Sequence, residues 1–253
     1  MPARTRLLHT ALSIWGVVCL LLAFWIFSLF FEFLPAPWAL VGEFPAFFSA
    51  PETYQALGIT AQRVVLSLAA ALVLGFFVAW LMARGGLAGV VTSSYVNALL
   101  MIPSAIAALV ALFVFRRDPL AVYVVVVLII LPFISITLVE GIRSIDPKIR
   151  RMAQVYRFSR WKYLRHVLLP HLVPYAVASL RNENAHAWRV VVLAELFAVN
   201  SGMGWQFTRA WDRFLIDEVM LWLFAFVTIL LVTEYLVLVP LEKVTQRWRR
   251  ETR

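Results

Sequence analysis

The chain has a single cysteine, Cys19, so no disulfide can form within it and cysteine usage says nothing about compartment. Charge is scarce: only 15% of the 253 residues are Asp, Glu, Lys or Arg, against 62% hydrophobic. That balance is too apolar for a soluble globular domain of this length and reads as an integral membrane protein. No G-x-x-x-x-G-K-[ST] phosphate loop occurs, which excludes a P-loop ATPase on this polypeptide. H-E-x-x-H and nucleophile-elbow patterns are missing too, and His9, His166, His171 and His186 are too scattered for a metal site. No carboxylate pair is spaced for acid–base work, and no cofactor is implied. The net charge of +9 comes from basic residues at the ends of apolar runs, not from a basic face interleaved with aromatics, so nucleic acid is not an expected partner.

What the chain does have is apolar sequence long enough to cross ~30 Å of hydrocarbon. Six spans are expected: Ala11 to about Leu34, Thr60 to Ala83, Tyr95 to Phe115, Pro119 to Glu140, Pro174 to about Asn200, and Val219 to Pro240. The first lacks the short apolar core and small-residue cleavage site of a secretory signal, so it reads as an uncleaved helix. The proline-rich stretch after it, with Glu43 and Glu52 but no Lys or Arg, reads as an extracytoplasmic connection. Pro103 and Ser104 predict a kink in the third span, and Arg116, Arg117 and Asp118 a tight turn after it. Placing both termini in the cytoplasm puts most of the 23 Lys and Arg inside and leaves Arg63, Arg116, Arg117, Arg209 and Arg213 outside or near it. The expected organisation is an N-terminal segment over 1–56, a membrane core over 57–241 and a basic cytoplasmic tail over 242–253.

The longest cytoplasmic stretch, Asp146 to Pro170, is strongly basic yet patterned for helix. Asp146 followed by Pro147 is a helix start, the side chain accepting from orphan N–H groups and the proline ring suiting the first helical position. Ile149, Met152, Ala153 and Tyr156 recur at i, i+3, i+4 and i+7, giving one apolar face. Ser159 opens a second short helix on which Trp161, Leu164 and Leu168 repeat the spacing, and Pro170 is expected to stop it. Met152, Tyr156, Trp161 and Leu164 are more apolar than a loop that merely binds anionic headgroups requires, which favours a docking surface.

These residues resemble membrane permease subunits of bacterial ABC importers, in the branch handling sulfonates, taurine, nitrate and related small solutes. The family's cytoplasmic loop carries an EAA motif, a glycine and a hydrophobic-Leu-Pro ending. Here Ala153 matches the last alanine, Ser159, Arg160 and Trp161 the usual Ser-Arg-Trp, and Val167, Leu168, Leu169 and Pro170 the ending. The likeness covers most of the chain. Leu34 to Pro37, Arg63 through Gly75, Ile102-Pro103, Gly141 to Pro147, Trp188, Ala194-Glu195 and Ser201 to Gly204 fall in the family's order. Three positions depart: Arg151 stands at the motif glutamate, Met152 at its first alanine and Arg157 at its glycine. A non-glycine residue in the left-handed region costs roughly 1 kcal/mol, so the loop is expected to turn differently there. Arg151 is expected to weaken docking to a standard ATPase.

The resemblance implies an all-α polytopic fold of six transmembrane helices, the last five forming the type I importer core. It also implies a separate ABC ATPase subunit docked on the Asp146 to Pro170 helices, a second permease copy or related chain, an extracytoplasmic solute-binding protein and a lipid environment. The alternative is a permease-derived anchor or assembly subunit no longer coupled to ATP hydrolysis, motivated by Arg151 and Arg157. Charged residues inside a span usually mark a pathway, a pair or a cavity. Glu183, His186 and Arg189, spaced by three, either line a translocation path or pair with one another. Glu195, deeper and matching a family glutamate, is expected to be structural or gating.

Overall fold

A computed structural model describes residues 35–115 and 118–250, with residues 15, 16, 19, 22–26 and 28–31. Half of the expected first span, and Arg116 and Arg117 of the expected turn, therefore lie outside the described residues. Described elements from residue 35 onward are α1 (Pro37–Ser49), α2 (Pro51–Ala83), α3 (Gly86–Leu100), α4 (Ser104–Phe115), α5 (Leu120–Arg143) and α6 (Pro147–Val155). They continue with α7 (Arg160–Tyr163), α8 (Leu169–Ala198), α9 (Met203–Asp212), α10 (Ile216–Val232) and α11 (Val239–Arg250). The protein is all-α, and no strand occurs among the described residues.

Among the described residues, three helical runs are long and apolar enough to cross a membrane: α2, α5 and residues 216–245. Each bent pair, α3 with α4 and α8 with α9, would add one more if counted as a single span, for up to five. The expected third span is corrected: α3 and α4 meet at 91° instead of forming one kinked helix. Pro103 has no N–H to donate and drives Ile102 out of the helical region, so helix restarts only at Ser104.

Pro170 does not stop its run either. α7 passes through a π-helical turn, Leu164–Leu168, straight into α8, with Pro170 at its second residue. The same device precedes Pro240, where the π-helical turn Thr233–Leu238 joins α10 to α11. A wider turn placed just before a proline relieves its clash with the preceding carbonyls, and both helices continue.

The core forms where α2 packs along α5 and α5 along α8. α2 presents a stripe of small buried residues, Thr60, Ser67, Ala71, Gly75 and Ala79, which lets helix backbones approach closely. A methyl group on Gly75 would come within 2.9 Å of Ile134 Cγ2 on α5. In return α5 buries Val122, Val126, Ile130 and Ile134. Met82 O accepts from Arg143 at 3.4 Å, so the C-terminal ends of α2 and α5 lie at the same end of the bundle.

Candidate functional site

At that end stands a two-helix arm, built from local signals. Asp146 caps α6 by accepting from Lys148 N–H at 2.7 Å, and Ser159 caps α7 by accepting from Lys162 N–H at 3.2 Å. Arg150 reaches back to donate to Ile142 O at 2.8 Å, strapping α6 to the end of α5. Between the helices the chain turns through Arg157, which adopts φ 49°. Phe158 N–H donates to Ala153 O at 2.9 Å and Arg157 N–H to Gln154 O at 3.0 Å. Those two bonds with a left-handed residue make a complete Schellman motif.

The expectation of a different turn at Arg157 is thus corrected. The glycine-type geometry is kept with arginine in it, because both orphan carbonyls are satisfied and the following Phe158 ring lies 4.5 Å beneath Lys162 Nζ. Arg157→Gly is expected to stabilise the arm by up to about 1 kcal/mol, because glycine enters the left-handed region without penalty. Slower hydrogen exchange of the amides at position 157 and Phe158 in the glycine variant would register it.

Ala153 is buried and Leu164 is half-buried. The predicted docking residues Ile149, Met152, Tyr156 and Trp161 are exposed, with Tyr156 71% and Trp161 67% accessible, and Val155, which the sequence reading did not single out, is exposed with them. Arg151 and Arg157 are exposed beside them.

α8 separates the three residues spaced by three. His186 Nδ1 lies 3.0 Å from Glu183 Oε2, whereas Arg189 donates from Nε to Ala185 O of its own helix and points outward. The mutual-pairing expectation therefore holds for Glu183 and His186 and is corrected for Arg189, whose guanidinium donates to Ala185 O instead. Nearby, Arg181 bridges Glu234 at 2.8 Å and Glu242, tying α8 to the last helix, and Asn184 Nδ2 donates to Thr233 Oγ1 at 3.3 Å.

At the far end of the bundle lies a network that sequence reasoning reached only in part. Glu195 is fully buried on α8 and pairs with Arg63 of α2, Nη1 to Oε1 at 2.6 Å. Arg63 is 3% exposed and also donates to Ser201 O at 2.8 Å and Ser201 Oγ at 2.7 Å. Gly204 N–H donates to Glu195 Oε2 at 3.0 Å, and Thr60 Oγ1 lies 2.9 Å from the same oxygen while accepting from Met203 N–H at 2.8 Å. Gly202, at φ 96°, turns the chain from α8 into α9, where any Cβ would overlap the Glu195 carboxylate.

Arg63, counted in the sequence among the charges outside or near the outer face, is buried and paired inside the bundle. The available signal was its register, since Thr60, Arg63, Val64 and Ser67 share the small-residue face of α2. An arginine on a packing face of a membrane helix needs an internal partner.

The arm and the buried clamp lie at opposite ends of one helical bundle. The sequence model for the binding-protein-dependent transport system inner membrane component matches residues 71–250. The chain belongs to that family. It is 28% identical over 173 residues to the nitrate import permease protein NrtB of Synechococcus elongatus, covering 66% of this chain and 61% of that one. It is 30% identical over 114 residues to the bicarbonate transport system permease protein CmpB of the same species, covering 44% of this chain and 41% of that one. The matched part thus spans less than two thirds of either relative.

The fold is shared with a bacterial ABC transporter involved in import of the acidic polysaccharide alginate, at TM-score 0.64 and 17% identity over 98% of this chain and 100% of that one. An amino acid ABC transporter has the same fold at TM-score 0.55 and 19% identity, over 84% and 97% of the two chains. As an inner-membrane component of this family, the chain is a multi-pass membrane protein.

Proposed function

We propose that the chain is the transmembrane permease subunit of a bacterial ABC importer. It forms the path for a small solute and couples to a separate ATPase subunit by alternating access. The observation that carries this reading is the capped two-helix arm with its outward apolar surface, which gives an ATPase groove something to grip. ATP-driven closure of the ATPases draws two such arms together and opens the path outward. The arm's intact Schellman turn weighs against a decoupled anchor, which has no need of a held docking geometry.

The full assembly is a pair of permease chains, two ATPase subunits and an extracytoplasmic solute-binding protein. Within the inner membrane the chain crosses six times with both termini cytoplasmic, the importer core spanning 57–241. Hydrolysis resides on the ATPase, so this chain itself is not an enzyme. A small anion is the favoured solute: Arg189 is an outward cation on α8, and relatives carry nitrate and bicarbonate in their names. Glu183, His186 and Arg189 belong to the path or its edge, and Glu195 holds its extracytoplasmic end.

Docking is tested at Tyr156. Tyr156→Glu puts a charge on the apolar surface and is expected to weaken ATPase binding at least tenfold, on the order of one interface hot spot. Thermal stability of the permease alone is expected to stay unchanged, since Tyr156 is exposed. Undiminished ATPase binding would remove this face from the interface.

A further inference from the structure

A polar cluster closes the base of the coupling arm. Ser144, just after α5, has its Oγ 3.0 Å from His171 Nε2 and 2.8 Å from the Tyr175 hydroxyl, both on α8. These contacts span 27 and 31 residues, so the whole arm is enclosed between them. Ser144 Oγ also lies 2.9 Å from Gly141 O. Donating there and accepting from His171 and Tyr175 uses the full capacity of a hydroxyl, one proton and two lone pairs. Packing supports the same junction: a Cβ on Gly141 would come within 2.8 Å of both Leu172 Cδ2 and Tyr175 Cγ, so only glycine lets α8 seat this closely on α5.

The location matters because of what lies between the arm and the span. The π-helical turn Leu164–Leu168 departs from the regular α-helical ladder and is where relative motion of arm and α8 would be absorbed. The cluster offers a second route. Arg150 fastens α6 to the end of α5, and Ser144 fastens the end of α5 to α8 beyond the π-helical turn. Displacement of α6 then reaches α8 without passing through the compliant segment.

We propose that Ser144, His171 and Tyr175 form a clasp that carries displacement of the coupling arm into α8, with Ser144 as its positioning residue. This rests on the coupled-permease reading above. The test uses the complex of the chain with its ATPase in lipid nanodiscs, Cys19→Ser to remove the native thiol, and Phe197→Cys at the top of α8 labelled with an environment-sensitive fluorophore. Phe197 is 42% exposed and outside both the clasp and the arm. Magnesium-ATP with vanadate is the only probe, so no solute need be known.

Ser144→Ala is expected to keep ATP hydrolysis while the ATP-driven fluorescence change falls roughly five-fold, the scale of one net hydrogen bond. Tyr175→Phe is expected to lower it less, and Ser144→Thr to restore it. A full response in Ser144→Ala would overturn the clasp alone. Loss of the ATPase from Ser144→Ala and Tyr175→Phe would overturn it as well, placing the cluster in assembly. A wild-type complex with no ATP-driven change would instead overturn the coupled reading, and the clasp with it.

Discussion

Glu195→Ala is expected to destabilise the protein by about 3–5 kcal/mol, the cost of stranding a buried charge whose partner has been removed. Arg63 is 3% exposed, and its remaining acceptors, Ser201 O and Oγ, are neutral. The clamp also seats the α8–α9 corner, because Gly204 N–H and Thr60 both address the lost carboxylate. In detergent, the thermal midpoint is expected to fall by about 10 °C for a chain of this size. Replacing both partners with apolar residues, Arg63→Met with Glu195→Leu, is expected to cost less than Glu195→Ala alone, since no charge is left unpaired. A double variant as unstable as the single one would show that the clamp's value lies outside the pair.

Gly202→Ala is expected to lower stability by about 2–4 kcal/mol, from left-handed backbone strain combined with forced overlap. Its φ of 96° suits glycine, and the new methyl would collide with a carboxylate that Arg63, Thr60 and Gly204 hold in place. Gly58→Ala is the internal control. Gly58 lies within α2 with nothing inside 4 Å of the added methyl, so helix propensity alone should act and stabilise by up to about 1 kcal/mol. Thermal unfolding of the two variants side by side separates local collision from any general intolerance of change.

What the sequence made legible was local. The Asp146 and Ser159 caps and the outward face of Met152, Tyr156 and Trp161 follow from spacing and side-chain chemistry within a few residues, and the structure has them in place. The burial and pairing of Arg63 were not legible because its partner is 132 residues away and an arginine near the start of an apolar run imitates a topology marker. Pro170 and Pro103 carry the same local signal yet end differently. A π-helical turn accommodates the first, while at Met101–Pro103 the chain breaks at 91°. Arg157 taught the opposite lesson: a residue that disfavours a left-handed turn adopts it when two backbone hydrogen bonds fix the geometry.

The central claim is that this chain works with an ATPase gripping the Asp146 to Pro170 arm. The most direct measurement is to purify the tagged chain in mild detergent from its native membrane and identify co-purifying proteins by mass spectrometry. A stoichiometric ABC ATPase, released by Tyr156→Glu, is the predicted result. A permease that keeps its oligomeric state but brings down no ATPase would contradict the account.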